Sequence, residues 1–165
     1  MRLLLFAGLR GERAALEAIL QSAARWGECE PVCLGDAVGG GDEAGTLALM
    51  RRKGVLLVAG PADRALAKQP GALPASEVAY LRAASAPRRL VAGGKQFLLT
   101  WDPAATDPRA FVVRPGPETP VDERGATLAQ VASSRGEAAC LLLDLESGAR
   151  ETRIVSWDAP IRHVE

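Results

Sequence analysis

The first part of the chain alternates short apolar runs with segments of helical periodicity, and this pattern restricts the fold more than any other feature of the sequence. Residues 2–7 read as a buried strand. Gly8-Leu9-Arg10-Gly11 then reads as a turn opening a helix over about 12–24, with Ala15, Leu16, Ile19 and Leu20 on one face. Residues 31–34 form a second short strand ending at Gly35-Asp36. A glycine-rich loop, Gly39-Gly40-Gly41, leads into a helix over about 43–52, Gly54 ends it, and residues 55–59 are a third buried strand. Strands this short and apolar, alternating with amphipathic helices, predict a parallel sheet covered on both faces.

The texture changes near Pro87. Between 60 and 84 the pattern is helical but interrupted by Pro70 and Pro74, which predicts two short helices joined by a turn. Beyond it the chain is strand-rich. Strands are expected at 88–92 and 96–101 around a Gly93-Gly94 hairpin, then at 110–113, 126–131, 139–145 and 152–157. The Pro-Gly segment 114–120 is too short for a linker, and no internal repeat is visible. A β-α start with a strand-rich end fits a single domain over 1–165, an α/β sandwich of two packed sheets flanked by helices.

Size and charge exclude several classes of function. At 165 residues, 48% of them hydrophobic, the chain is long enough for one substantial core. The 20 basic and 20 acidic residues cancel, and no run of like charge offers a footprint for nucleic acid. The N-terminal apolar stretch is only strand length, so neither a signal peptide nor a membrane span is read from it. Three cysteines argue against a disulfide framework and suit a reduced, cytoplasmic setting. Cys29 and Cys33 are close in sequence. With Cys140 in an apolar run and His163 the single histidine, they read as free thiols and not as a zinc site.

Four segments, in order, carry a resemblance to a known family. Phe6-Ala7-Gly8-Leu9-Arg10-Gly11-Glu12 before the first helix is similar to a strand, Asp-x-His-Gly turn and helix. Cys33-Leu34-Gly35-Asp36-Ala37-Val38-Gly39 resembles a motif in which an aspartate after glycine bridges two metals. Gly54-Val55-Leu56-Leu57-Val58-Ala59-Gly60-Pro61-Ala62-Asp63-Arg64-Ala65 is similar to a strand and Gly-Asn-His-Asp turn. Phe97-Leu98-Leu99-Thr100-Trp101-Asp102-Pro103 resembles a strand ending in a His-Gly-x-Pro turn. These motifs, in this order, resemble the calcineurin-like metallophosphoesterases, especially their small bacterial and archaeal members. Segments 131–136 and 141–145 look like the family's closing strands.

The resemblance implies a two-metal site whose metals activate water and stabilise in-line displacement at phosphorus. It also implies that this chain lacks most of that site. Gly8, Arg10, Pro61, Ala62 and Thr100 stand where the family has metal-binding or catalytic side chains, and only Asp36 is retained. The segment 114–120, where a Gly-His-x-His motif is expected, contains no histidine. Metal ligation at roughly 2.0–2.2 Å needs carboxylates or imidazoles. One histidine in the whole chain cannot restore the set under any alignment. The vestigial site is therefore Gly8, Arg10, Asp36, Pro61, Ala62, Asp63 and Thr100, with no catalytic residue, no metal and no cofactor expected. A guanidinium at Arg10 is expected to pair with Asp36 or Asp63, because a buried carboxylate without a partner is costly.

Three functions follow as alternatives. The first is a non-catalytic protein-interaction or regulatory module with an unidentified protein partner. Trp101 and Trp157, ending predicted strands, and Trp26, ending the first helix, are candidate interface anchors; ordinary core packing is the competing reading for each. The second is a protein that binds a small phosphate-containing ligand at the helix-opening turn, with Arg10, Arg13 and Arg64. The Gly8-x-x-Gly11 turn lacks the Lys-Ser/Thr of a phosphate-binding loop. The third is a phosphoesterase with a reduced metal set or a metal-free hydrolase, for which Ser133, Ser134 and Thr100 are candidate nucleophiles without a nucleophile-elbow pattern.

Overall fold

The computed structural model describes residues 1–102, 104–105, 107–115, 125–128 and 137–156. Its order of elements is β1 (Arg2–Phe6), α1 (Arg13–Ala23), β2 (Glu30–Cys33), α2 (Glu43–Arg52), β3 (Leu56–Leu57), α3 (Pro61–Leu66), α4 (Ala75–Ala83), β4 (Arg88–Ala92), β5 (Lys95–Leu99), β6 (Phe111–Pro115), β7 (Gly125–Leu128), β8 (Glu137–Asp144) and β9 (Arg150–Ser156). Two mixed sheets result, a five-stranded one in the order β3-β2-β1-β8-β9 and a four-stranded one in the order β4-β5-β6-β7.

The period of β1 explains the layering. Leu3, Leu4, Leu5 and Phe6 are all fully buried, and they alternate between two cores. Leu4 and Phe6 join Ala15, Leu16 and Ile19 of α1, Leu47 and Met50 of α2, and Leu81 of α4. Leu3 and Leu5 face the second sheet and join Phe97, Leu99 and Val113. The parallel strands β1, β2 and β3 are thus covered on both faces as expected, by helices on one side and by a sheet on the other. The strand-rich half supplies the second sheet and also returns two strands to the first, β8 lying antiparallel beside β1.

Local signals account for the element ends. Asp42 caps α2, accepting the N–H of Gly45 at 2.9 Å, and Arg51 and Arg52 occupy its last turn, where cations offset the helix dipole. The interrupted segment resolves into α3 and α4, with Pro61 in the first turn of α3 and Pro74 preceding α4. The Gly93-Gly94 hairpin joins β4 and β5 in antiparallel register. The third strand is shorter than its apolar run, because only Leu56 and Leu57 pair with β2. Residues 129–131 of one expected strand, the segment 116–120, Trp157, Ser133, Ser134 and His163 lie outside the described residues. Among the described residues no helix is long and apolar enough to cross a membrane.

Candidate functional site

The motif loops converge at the ends of β1, β2, β3 and β5. Gly8 donates its N–H to the carbonyl of Gly35 at 3.0 Å, Arg10 to that of Asp36 at 2.8 Å, and Gly11 to that of Ala37 at 2.7 Å. The β1–α1 and β2–α2 loops are zipped together by backbone alone. Glycine permits that approach: a Cβ at Gly41 would lie 2.4 Å from the carbonyl oxygen of Gly11. The triple glycine is thus a close-packing element. Arg10 (φ 50°) and Asp36 (φ 52°) sit side by side in the left-handed region, an uncommon conformation for a residue with a side chain.

The turn before α3 is tied to the same cluster by Asp63. This carboxylate is fully buried; it accepts the N–H of Gly60 at 2.8 Å and that of Val38 at 3.0 Å. It thereby caps α3 and pins the β2–α2 loop. Burial pushes its carboxyl above the ordinary value, the bonds from Gly60 and Val38 hold it down, and the nearby Asp36 charge pushes it up further. Thr100, also buried, accepts the N–H of Asp102 on its hydroxyl at 3.1 Å, while its own N–H goes to the carbonyl of Val113.

Trp101 fills the space between these loops. A Cβ built on Gly35 would lie 2.0 Å from its Cδ1, and one built on Gly60 would lie 2.8 Å from its Nε1. The indole is therefore seated directly on the two motif glycines, half-buried, at the margin of the core between the sheets. Gly60 has φ −79°, an ordinary value, so its lack of a side chain serves the indole and not the backbone. The sequence carries a signal for this arrangement: Trp101 stands at the glycine of the resembled His-Gly-x-Pro turn. As an interface anchor it is at most half available.

The structure brings Gly8, Arg10, Asp36, Asp63, Thr100 and Trp101 together, with Pro61 and Ala62 exposed at the rim. It does not form the expected ion pair. Arg10 is exposed, and no pair within 4.0 Å joins it to Asp36 or Asp63; the salt bridges among the described residues lie elsewhere. The reason is local. The left-handed turn presents the Arg10 side chain to solvent, and Asp63 takes backbone N–H groups as partners in place of a cation.

Two of the three candidate anion-binding arginines already have partners. Arg13 pairs with Glu17 at 2.9 Å and reaches Asp42 at 3.8 Å, and Arg64 turns its Nε toward the Gly60 carbonyl at 3.3 Å. The N–H groups of Gly8, Arg10, Gly11 and Glu12, which a phosphate would need, already donate to carbonyls. A groove of about 720 Å³ runs beside α1 and α2, lined by Leu20, Ala24, Cys29, Pro31 and Leu49. It borders Arg13 and no other motif position.

Among the described residues the loop ends do not supply a two-metal centre. Of the donors there, Asp63 is committed to two backbone N–H groups, and Asp36 has no imidazole beside it among the described residues. Among the described residues no group of three His, Cys, Asp or Glu is placed to hold a metal ion. The three cysteines are unpaired. Cys33 and Cys140 are buried, which pushes the Cys140 thiol up to about 12, and Cys29 is half-buried.

The architecture is that of the metallophosphoesterases. A crystal structure of a metallophosphoesterase from Sphaerobacter thermophilus superposes with a TM-score of 0.69 at 17% identity, over 96% of this chain and 89% of that one. Yfce, a phosphoesterase from E. coli, superposes with a TM-score of 0.63 at 15% identity, over 96% of this chain and all of the other. Identities this low establish the fold alone. No protein-family model matches the chain, and no curated protein matches it in sequence.

Proposed function

We propose that this chain is a metallophosphoesterase-like protein without metal-dependent phosphoesterase activity, serving in the cytoplasm as a protein-interaction or regulatory module. The observation that carries this reading is the seat of Trp101 on Gly35 and Gly60, in the space the motif loops enclose. Around it, Gly8, Pro61, Ala62 and Thr100 offer no carboxylate or imidazole. A two-metal phosphoesterase needs such ligands to hold the ions that clamp its phosphoryl oxygens.

A protein partner would meet the rim: exposed Arg10 and Arg64, exposed Pro61 and Ala62, and the open face of the Trp101 indole. Aromatic and arginine side chains commonly dominate the energy of such contacts. Binding of a small phosphate-containing ligand to Arg10 and Arg64 is supported less well, because the neighbouring loop N–H groups are already bonded.

The test is metal analysis of the purified chain with an assay on a generic phosphodiester in added manganese. The expected result is less than stoichiometric metal and no turnover above background. Stoichiometric metal together with turnover abolished by Asp36→Ala would overturn the proposal.

A further inference from the structure

Strand β9 is one margin of the five-stranded sheet. All seven of its residues pair with β8 on one side, and no strand lies on the other among the described residues. Such an edge presents a row of backbone N–H and C=O groups, and proteins normally blunt it with charged side chains, proline, a bulge or a very short strand. β9 is regular along its length and contains neither proline nor glycine; its charges, Arg150, Glu151 and Arg153, are of both signs and admit a complementary partner. Ile154 in its second half is 62% exposed, and among the described residues only Val91 is a more exposed large apolar side chain.

The alternation of side chains fixes two faces. Val155 is buried in the helix-covered core, and Arg153 lies over the Trp26 ring of the α1–β2 connection at 5.8 Å. Glu151 shares that face, and Arg153 Nη2 reaches its Oε2 at 2.8 Å. Arg150, Thr152, Ile154 and Ser156 share the other face.

We infer that β9 is a self-association strand, pairing antiparallel with β9 of a second copy about a two-fold axis through Thr152. In this register Glu151 of each copy stands opposite Arg153 of the other, so the symmetry makes the complementary contact twice. Ile154 stands opposite Arg150, whose aliphatic stem covers it. Neighbouring registers fail. An axis at Arg153 or at Glu151 sets like charges opposite each other, and an axis between residues 152 and 153 would set residues of opposite faces against each other, which an antiparallel pair does not allow.

The margin of the second sheet does not offer the same match. β4 carries Arg88 and Arg89 with no acidic residue, so it has no register in which opposite charges face each other. The inference stands on β9 alone and is independent of the reading of the motif loops.

Sedimentation equilibrium of the full chain tests it, with a weight-average mass expected to rise toward the dimer as concentration increases. Glu151→Arg and Arg153→Glu each place like charges across the axis and abolish the dimer, and the double exchange restores it. Thr152→Cys in a Cys29→Ser background forms an intermolecular disulfide on air oxidation, because the two thiols face each other across the axis; the background without Thr152→Cys does not. Glu151 and Thr152 are exposed while Arg153 and Cys29 are half-buried, so circular dichroism of each variant checks that it is folded. A chain monomeric at every concentration overturns the inference, as does a dimer indifferent to both charge reversals. Protection of the outward β9 amides from exchange in a monomer also overturns it, since the edge is then covered by the same chain.

Discussion

The core beneath the motif loops and the loops themselves answer to different constraints. Below, Leu4 and Phe6 of β1 pack on Ala15, Leu16 and Ile19 of α1, and every one of these side chains is fully buried. Above, the loops are positioned by backbone bonds from Gly8, Arg10 and Gly11 and by the Asp63 carboxylate. The two levels are therefore held by different interactions, hydrophobic burial below and hydrogen bonds to backbone groups above.

The largest expected effect lies in the core. Phe6→Ala removes a fully buried ring and is expected to cost about 3–5 kcal/mol, read from urea unfolding. A loss under about 1 kcal/mol would mean that the helix-covered core is not the main support of the loops.

A smaller effect tests whether the indole is part of the loop assembly. Gly60→Ala has no backbone obstacle, so its expected cost of about 1–3 kcal/mol comes from the collision with Trp101 and from the Asp36 N–H, 3.1 Å from the new methyl. In a Trp101→Ala background most of that cost disappears. A double-mutant cycle measures the coupling, and additive effects would show that the two residues do not touch.

The smallest expected effect belongs to Asp63. Asparagine keeps one acceptor for Val38 but sets an N–H donor against that of Gly60, at a cost of about 1–2 kcal/mol. Its pH dependence has a definite sign. The Asp63 carboxyl is raised on folding, so its favourable contribution is fully present below the unfolded value and is lost as pH rises through the folded one. The stability gap between the parent and Asp63→Asn is therefore widest in acid and narrows across the carboxylate range. Unfolding curves at several pH values check this, and a gap that widens with rising pH contradicts the burial argument.

Much of the fold was legible because its signals are local. Helix α2 lies at 43–52 as read, set by the Asp42 cap and Gly54; the β4–β5 hairpin follows from Gly93-Gly94; and the apolar face of α1 appears in its 3.6-residue period. The third strand is shorter than its apolar run, since such a run reports burial and not pairing: Val55 and Ala59 are buried outside the ladder, although Val58 still donates its N–H to the Cys33 carbonyl at 2.9 Å. The expected Arg10 pairing failed for a related reason. Motif order places residues near one another, but it does not say where a side chain points when its backbone enters a left-handed turn.

By itself, the sequence determined the layered α/β plan and the poverty of metal-ligating side chains, because periodicity and residue counts need no knowledge of which distant parts meet. Only the tertiary structure decided how the motif loops are packed together. Trp101 meets Gly35 and Gly60, residues far from it in the chain, and Asp63 is satisfied by N–H groups from its own turn and from the β2–α2 loop. Those outcomes depend on the packing of one sheet against another and on the directions of individual bonds, and neither leaves a pattern in one dimension.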